Sequence, residues 1–146
     1  MKKYLKTLSN GEAIEVPAND GVGLGVETID DATTLTGADS GKTFVLSAVE
    51  GAQVTLPSPI SGFKAKFVVG SAFATTDWTV VADADVIEGG AIVNSVFVPA
   101  ANENTISFVA SAETIGDYVE LVSDGTSWFV NGVGAGVGSI TFTAPA

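Results

Sequence analysis

Gly116-Asp117-Tyr118-Val119-Glu120-Leu121-Val122-Ser123-Asp124-Gly125-Thr126-Ser127-Trp128-Phe129-Val130-Asn131 consists of two β-prone runs on either side of an Asp-Gly turn. On the first arm Val119 and Leu121 alternate with Tyr118, Glu120 and Val122, and on the second Trp128 and Val130 alternate with Phe129. A period of two belongs to strands. Asp124 and Gly125 tolerate positive φ and supply local hydrogen bonds, so residues 123–127 predict the loop of a β-hairpin. A strand pair this apolar needs a second layer over it.

The same style continues outward from that hairpin. Lys42-Thr43-Phe44-Val45-Leu46-Ser47 places Phe44 and Leu46 on one face, and Gln53-Val54-Thr55-Leu56 does the same with Val54 and Leu56 before Pro57-Ser58-Pro59 ends the run. Phe63-Lys64-Ala65-Lys66-Phe67-Val68-Val69 alternates most cleanly, with Phe63, Ala65, Phe67 and Val69 inward and both lysines outward. Asp77 to Ala82 is a further strand. Gly89-Gly90 marks a break, Ala91 to Val98 one strand stopped by Pro99, Thr105 to Ala110 another, and Ser139 to Thr143 the last. The spacing predicts an all-β fold, a β-sandwich or jelly-roll-like domain of short antiparallel strands over 33–146. No repeat of the solenoid kind is present. Residues 132–138, rich in glycine, are expected to be a flexible connection or a place of close approach between chains.

Residues 1–32 differ in style. A basic start (Lys2, Lys3, Lys6), one short strand at Ala13 to Val16 and the glycine-rich 21–26 predict an extended N-terminal arm, ordered on a partner or loose as termini often are.

Composition narrows the function. The chain has 146 residues, enough for one domain with a sizeable core. Its net charge of −11 and lack of arginine argue against nucleic-acid binding. No run reaches the ~20 apolar residues of a membrane helix, and no apolar segment follows Lys2 and Lys3 to form a secretory signal, so a membrane role is not expected. Mean hydropathy of +0.40 is high for a chain without such a run, which predicts apolar surface buried between subunits.

Neither histidine nor cysteine occurs, which removes the commonest general base, the thiol nucleophile and the usual soft metal ligands. Asp83, Asp85 and Glu88 form the one carboxylate cluster worth weighing. Two carboxylates can hydrolyse a glycoside and several can hold a divalent cation, but acidic residues beside glycine at a strand end are ordinarily a solvated turn. No catalytic residue, metal site or cofactor is expected. The glycine-rich 21–25 lacks the strand and helix of a dinucleotide fingerprint and the Gly-Lys-Ser/Thr ending of a phosphate loop. The aromatic residues fall at alternating strand positions and serve as core or subunit interface, with a carbohydrate platform as a smaller possibility. Phe63, Phe67, Trp78, Phe97, Trp128 and Phe129 are the interface candidates.

Thr34-Leu35-Thr36, Ala38 to Leu46, Val54 to Pro57, Gly62 to Val69 and Gly116 to Val130 together resemble the head-decoration, cement and head-fibre proteins of tailed bacteriophages, over roughly residues 34–143. The strand, Asp-Gly-Thr, Trp, strand motif also occurs in phage tail-fibre and other virion surface domains. What the resemblance implies is a homotrimer on the capsid exterior, assembled in the host cytoplasm, that clamps the major capsid protein. On that expectation the arm docks on the shell, with Lys2, Lys3 and Lys6 meeting acidic patches and the strand containing Ile14 and Val16 adding to a capsid sheet edge. The alternative is a fibre or adhesion module whose loops at 102–104 or 123–127 bind a host-surface glycan.

Overall fold

In the computed structural model the described residues are 3–7, 11, 13–17 and 25–145. β1 (Lys3–Thr7) and β2 (Ala13–Pro17) pair antiparallel as a sheet of their own, with Lys3 opposite Pro17 and Lys6 opposite Ile14. The single expected strand of the arm is thus one half of a hairpin. Lys2 and the glycines at 21–24 lie outside the described residues.

The body is a sandwich of two sheets. One contains β3 (Val26–Ile29), β5 (Thr43–Leu46), β7 (Lys64–Val69), β9 (Ile87–Val93), β10 (Val96–Glu103), β12 (Tyr118–Ser123) and β13 (Trp128–Gly134), in spatial order β10-β9-β13-β12-β7-β5-β3. The other contains β4 (Thr33–Thr34), β6 (Gln53–Thr55), β8 (Trp78–Val81), β11 (Thr105–Phe108) and β14 (Ile140–Thr143), in order β14-β11-β8-β6-β4. The all-β expectation holds, but the strands are not all antiparallel. From β3 to β8 every connection crosses from one sheet to the other, so the strands that come to lie side by side run the same way: β3, β5 and β7 are parallel, as are β4, β6 and β8. The first half of the body is therefore a flattened coil, built without any sequence repeat. Hairpins β9–β10 and β12–β13 complete the large sheet, and the β9–β13 contact between them is again parallel.

Three boundaries differ from expectation. Val26–Ile29, assigned by sequence to the arm, pairs with β5 at the edge of the large sheet, so the body starts before Thr33. Ala91 to Val98 is two strands, because Asn94 (φ 48°) and Ser95 (φ 65°) both take the left-handed conformation of a two-residue hairpin turn. Pro99 lies within β10, opposite Gly90, where an edge strand makes no ladder bonds on its outer side and tolerates a missing N–H.

The core lies between the sheets. Phe44 stacks on its register partner Phe67 at 5.3 Å, and Phe63 meets Trp128 edge to face at 5.2 Å. Alternation groups Val119 with Leu121 and Trp128 with Val130, and the structure turns both pairs of the founding hairpin inward. Gly132 and Gly134 occupy inward positions of β13, where a Cβ would stand 2.3 Å from the Tyr118 carbonyl oxygen and from Ser139 Oγ respectively. They permit close packing, and the flexible connection expected over 132–138 is in its first part a strand.

Two carboxylates fix the ends of this hairpin. Buried Asp117 accepts the Thr114 amide on Oδ2 at 3.0 Å and the Ala135 amide on Oδ1 at 2.9 Å, tying the entry of β12 to the exit of β13. At the turn, Asp124 Oδ1 accepts the amides of Thr126 and Ser127, both at 2.8 Å. The Ser127 and Thr126 amides hold the Asp124 carboxyl below the ordinary aspartate value of 3.8. A lowered folded-state pKa means that the turn contribution is present above the unfolded value and lost as pH falls through the folded one. In an NMR titration the Thr126 and Ser127 amide shifts are expected to move with a midpoint below 3.8; a midpoint above it contradicts the bonding.

Candidate interaction surface

The inward residues of the large sheet meet the second sheet, so chemistry available to a partner lies on its outer face. Register assembles that face into three cross-strand rows. At one end Lys64, Val122, Phe129 and Glu88 are successive partners across β7, β12, β13 and β9. The middle row runs Lys66, Glu120, Asn131. The far row is Val45, Val68, Tyr118, Val133, Ile92, Phe97, six strands wide with one phenol at its only polar point. Its half on β13, β9 and β10 is open to solvent: Phe97 is 58% exposed, and Ile92 and Val133 are close behind at 44% and 43%. Exposed apolar side chains that are contiguous rather than scattered mark interaction surfaces.

The Phe97 ring packs against Gly90. A Cβ on Gly90 would stand 2.6 Å from Cζ of the Phe97 ring, so the missing side chain is what lets the ring cross the face.

Of the three lysines beyond the first six residues, Lys64 and Lys66 stand on this face and Lys42 lies at its margin, in a chain with 17 acidic residues. Lys42, Lys64 and Lys66 line a shallow recess of about 530 Å³ together with Thr43, Glu120 and Asn131. Lys42 Nζ bonds Asp39 at 2.7 Å and Glu27 at 3.1 Å, and these two carboxylates push its pKa up. Partial burial works to raise the pKa of Asp39, but Lys42 and the Thr36 amide outweigh it and hold the carboxyl below its usual value. Lys66 is 3.9 Å from Glu120 and lies over the Tyr118 ring at 4.5 Å. Among the described residues Lys64 makes no ion pair.

Sequence reasoning leaves six aromatics as core residues or candidates for a subunit interface, and the structure divides them. Phe63, Phe67, Trp78 and Trp128 are buried in the core of the single chain and present nothing to a neighbour. Phe97 and Phe129 do stand on the exposed face. Alternation says only that a residue is on one side of a strand, and a core side and an interface side look alike. Of the arm candidates, Lys3, Lys6, Ile14 and Val16 fall in the β1–β2 hairpin.

Ile92, Val133, Val122, Val68 and Tyr118 were not singled out as interface residues. The available signal was that Val122 and Tyr118 oppose the inward Val119 and Leu121, but only strand order shows that their neighbours are apolar too. Asp83 and Asp85 are in the exposed β8–β9 loop, where Ser58 Oγ donates to Asp83 Oδ2 at 2.5 Å. Glu88 Oε1 accepts the Asn102 amide at 3.2 Å. Among the described residues no group of three or more acidic side chains is arranged to hold a metal ion.

The chain matches no protein-family model, no curated protein sequence and no solved structure.

Proposed function

We propose that this chain is a structural binding module without enzymatic activity, acting through surfaces it presents to copies of itself and to the exterior of a bacteriophage capsid, which it decorates and cements. The observation that carries the self-associating part is the apolar row from Tyr118 to Phe97, exposed at Val133, Ile92 and Phe97. The capsid part is supported by the sequence resemblance to phage head-decoration and cement proteins, which also implies three copies per unit. In this proposal the segment before β3, with Lys3, Lys6, Ile14 and Val16 on its hairpin, docks on the major capsid protein.

Co-sedimentation with purified shells of the encoding phage tests it. The full chain is expected to pellet with shells, and a variant lacking residues 1–20 to stay in the supernatant. Unchanged binding by the shortened chain overturns arm docking, and no binding by the full chain overturns the capsid role.

A second reading, adhesion to a host glycan, is favoured by one feature. Exposed Phe129 stands two residues from exposed Asn131 on the same strand face, an apolar plate beside an amide, as sugar-binding surfaces require. Binding on a glycan array without binding to shells would favour it.

A further inference from the structure

We infer that the outer face of the large sheet packs on the same face of a second copy, about a two-fold axis running along the strands between β12 and β13. This rests on the self-associating reading above and replaces the three-fold arrangement that the resemblance implies with a two-fold one.

The basis is that the three rows complement themselves. Such an axis turns the order β5-β7-β12-β13-β9-β10 end for end while keeping each row opposite its own copy. In the first row Lys64 then faces Glu88 of the other copy and Val122 faces Phe129, so a cation meets a carboxylate at both margins and apolar groups meet at the centre. Glu88 accepts the Asn102 amide on Oε1, and among the described residues Oε2 has no hydrogen-bond partner. In the middle row Glu120 faces Asn131, and Lys66 faces Gly90, which lies between the Gly89–Val130 and Ile92–Val133 pairs, so no like charges oppose each other. In the far row Tyr118 faces Val133, Val68 faces Ile92, and Phe97 comes over Val45 beside the recess.

The contact is isologous, each pairing occurring twice, which closes the assembly at two copies. Sheets that pack face to face stand about 10 Å apart, within reach of Lys64 and Glu88 side chains extending from both surfaces. Other axes fare worse. An axis across the strands would superpose the apolar far row on the lysine-bearing first row.

Light scattering with a charge swap tests the face. The protein is expected to have twice its 14.7 kDa chain mass. Lys64→Glu alone and Glu88→Lys alone each oppose like charges at two places, and each is expected to weaken the dimer about tenfold or more. Lys64→Glu combined with Glu88→Lys restores the pairing with its sign reversed and is expected to recover dimerisation. Thermal melting of the isolated variants checks that they fold, and Lys64→Gln, which adds no repulsion, is expected to weaken the dimer less than Lys64→Glu. A wild-type monomer or trimer overturns the inference, as do single reversals that leave the dimer unchanged or a double reversal that fails to recover it. Shell binding is read separately: a protein that pellets with shells yet is not dimeric overturns only this face, and a dimer that ignores shells overturns only the capsid role.

Discussion

Trp128→Ala is expected to destabilise the chain by about 3–5 kcal/mol and to lower its melting temperature by roughly 10–20 °C. Trp128 has no exposed surface and meets Phe63 edge to face at 5.2 Å, joining the founding hairpin to the start of β7. Its removal leaves a cavity that a sandwich tied by ladders on both sides of β13 cannot close. Among the described residues the buried indole Nε1 has no hydrogen-bond partner, so the side chain contributes through packing. Trp128→Phe should therefore cost clearly less than Trp128→Ala. Urea unfolding of the two variants checks this, and equal losses would contradict the packing account.

Gly89→Ala is the second large effect, with an expected cost of about 2–5 kcal/mol from combined backbone strain and overpacking. Gly89 has φ +117°, and a Cβ there would stand 2.3 Å from the Val130 carbonyl oxygen and 3.2 Å from the Val130 nitrogen. Those atoms belong to the parallel β9–β13 ladder and cannot rotate away as a side-chain tip would. Gly116→Ala provides the control. Gly116 also has positive φ, +99°, but nothing lies within 4 Å of its added Cβ, so only the conformational strain remains, about 1–2 kcal/mol. Equilibrium unfolding of both variants measures the difference, and a Gly89→Ala loss no greater than that of Gly116→Ala would show that the close approach does not matter.

The glycines also show where the sequence was legible and where it was not. Alternation sorted the residues of β5, β7, β12 and β13 onto two faces, because a half-buried strand states its sidedness residue by residue. Gly89-Gly90 looked like a break because glycine weakens strands. Its reason lies in Val130 and Phe97, on strands remote or reversed in the chain. Asn94-Ser95 hid a hairpin turn because it lacks the glycine that usually announces one, and Val26–Ile29 escaped notice as an edge strand with only Ile29 buried.

The parallel coil had no local signal at all. Whether a connection crosses the sandwich or doubles back is settled by which sheet has room for the next strand, not by residues in the connection. The same holds for the candidate surface. Its rows are made of residues from three to six strands, so their character appears only once register is known. Phe97 and Phe129 were reachable from sequence as exposed candidates, whereas the apolar continuity from Tyr118 to Phe97 was not.

The most direct test of the central claim is a cryo-electron microscopy map of decorated phage heads. The account predicts density for this sandwich on the outside of the shell, with the Tyr118 to Phe97 row covered by the same row of a second copy. Heads that lack the chain, or that carry it as single copies with this face open to solvent, would contradict it.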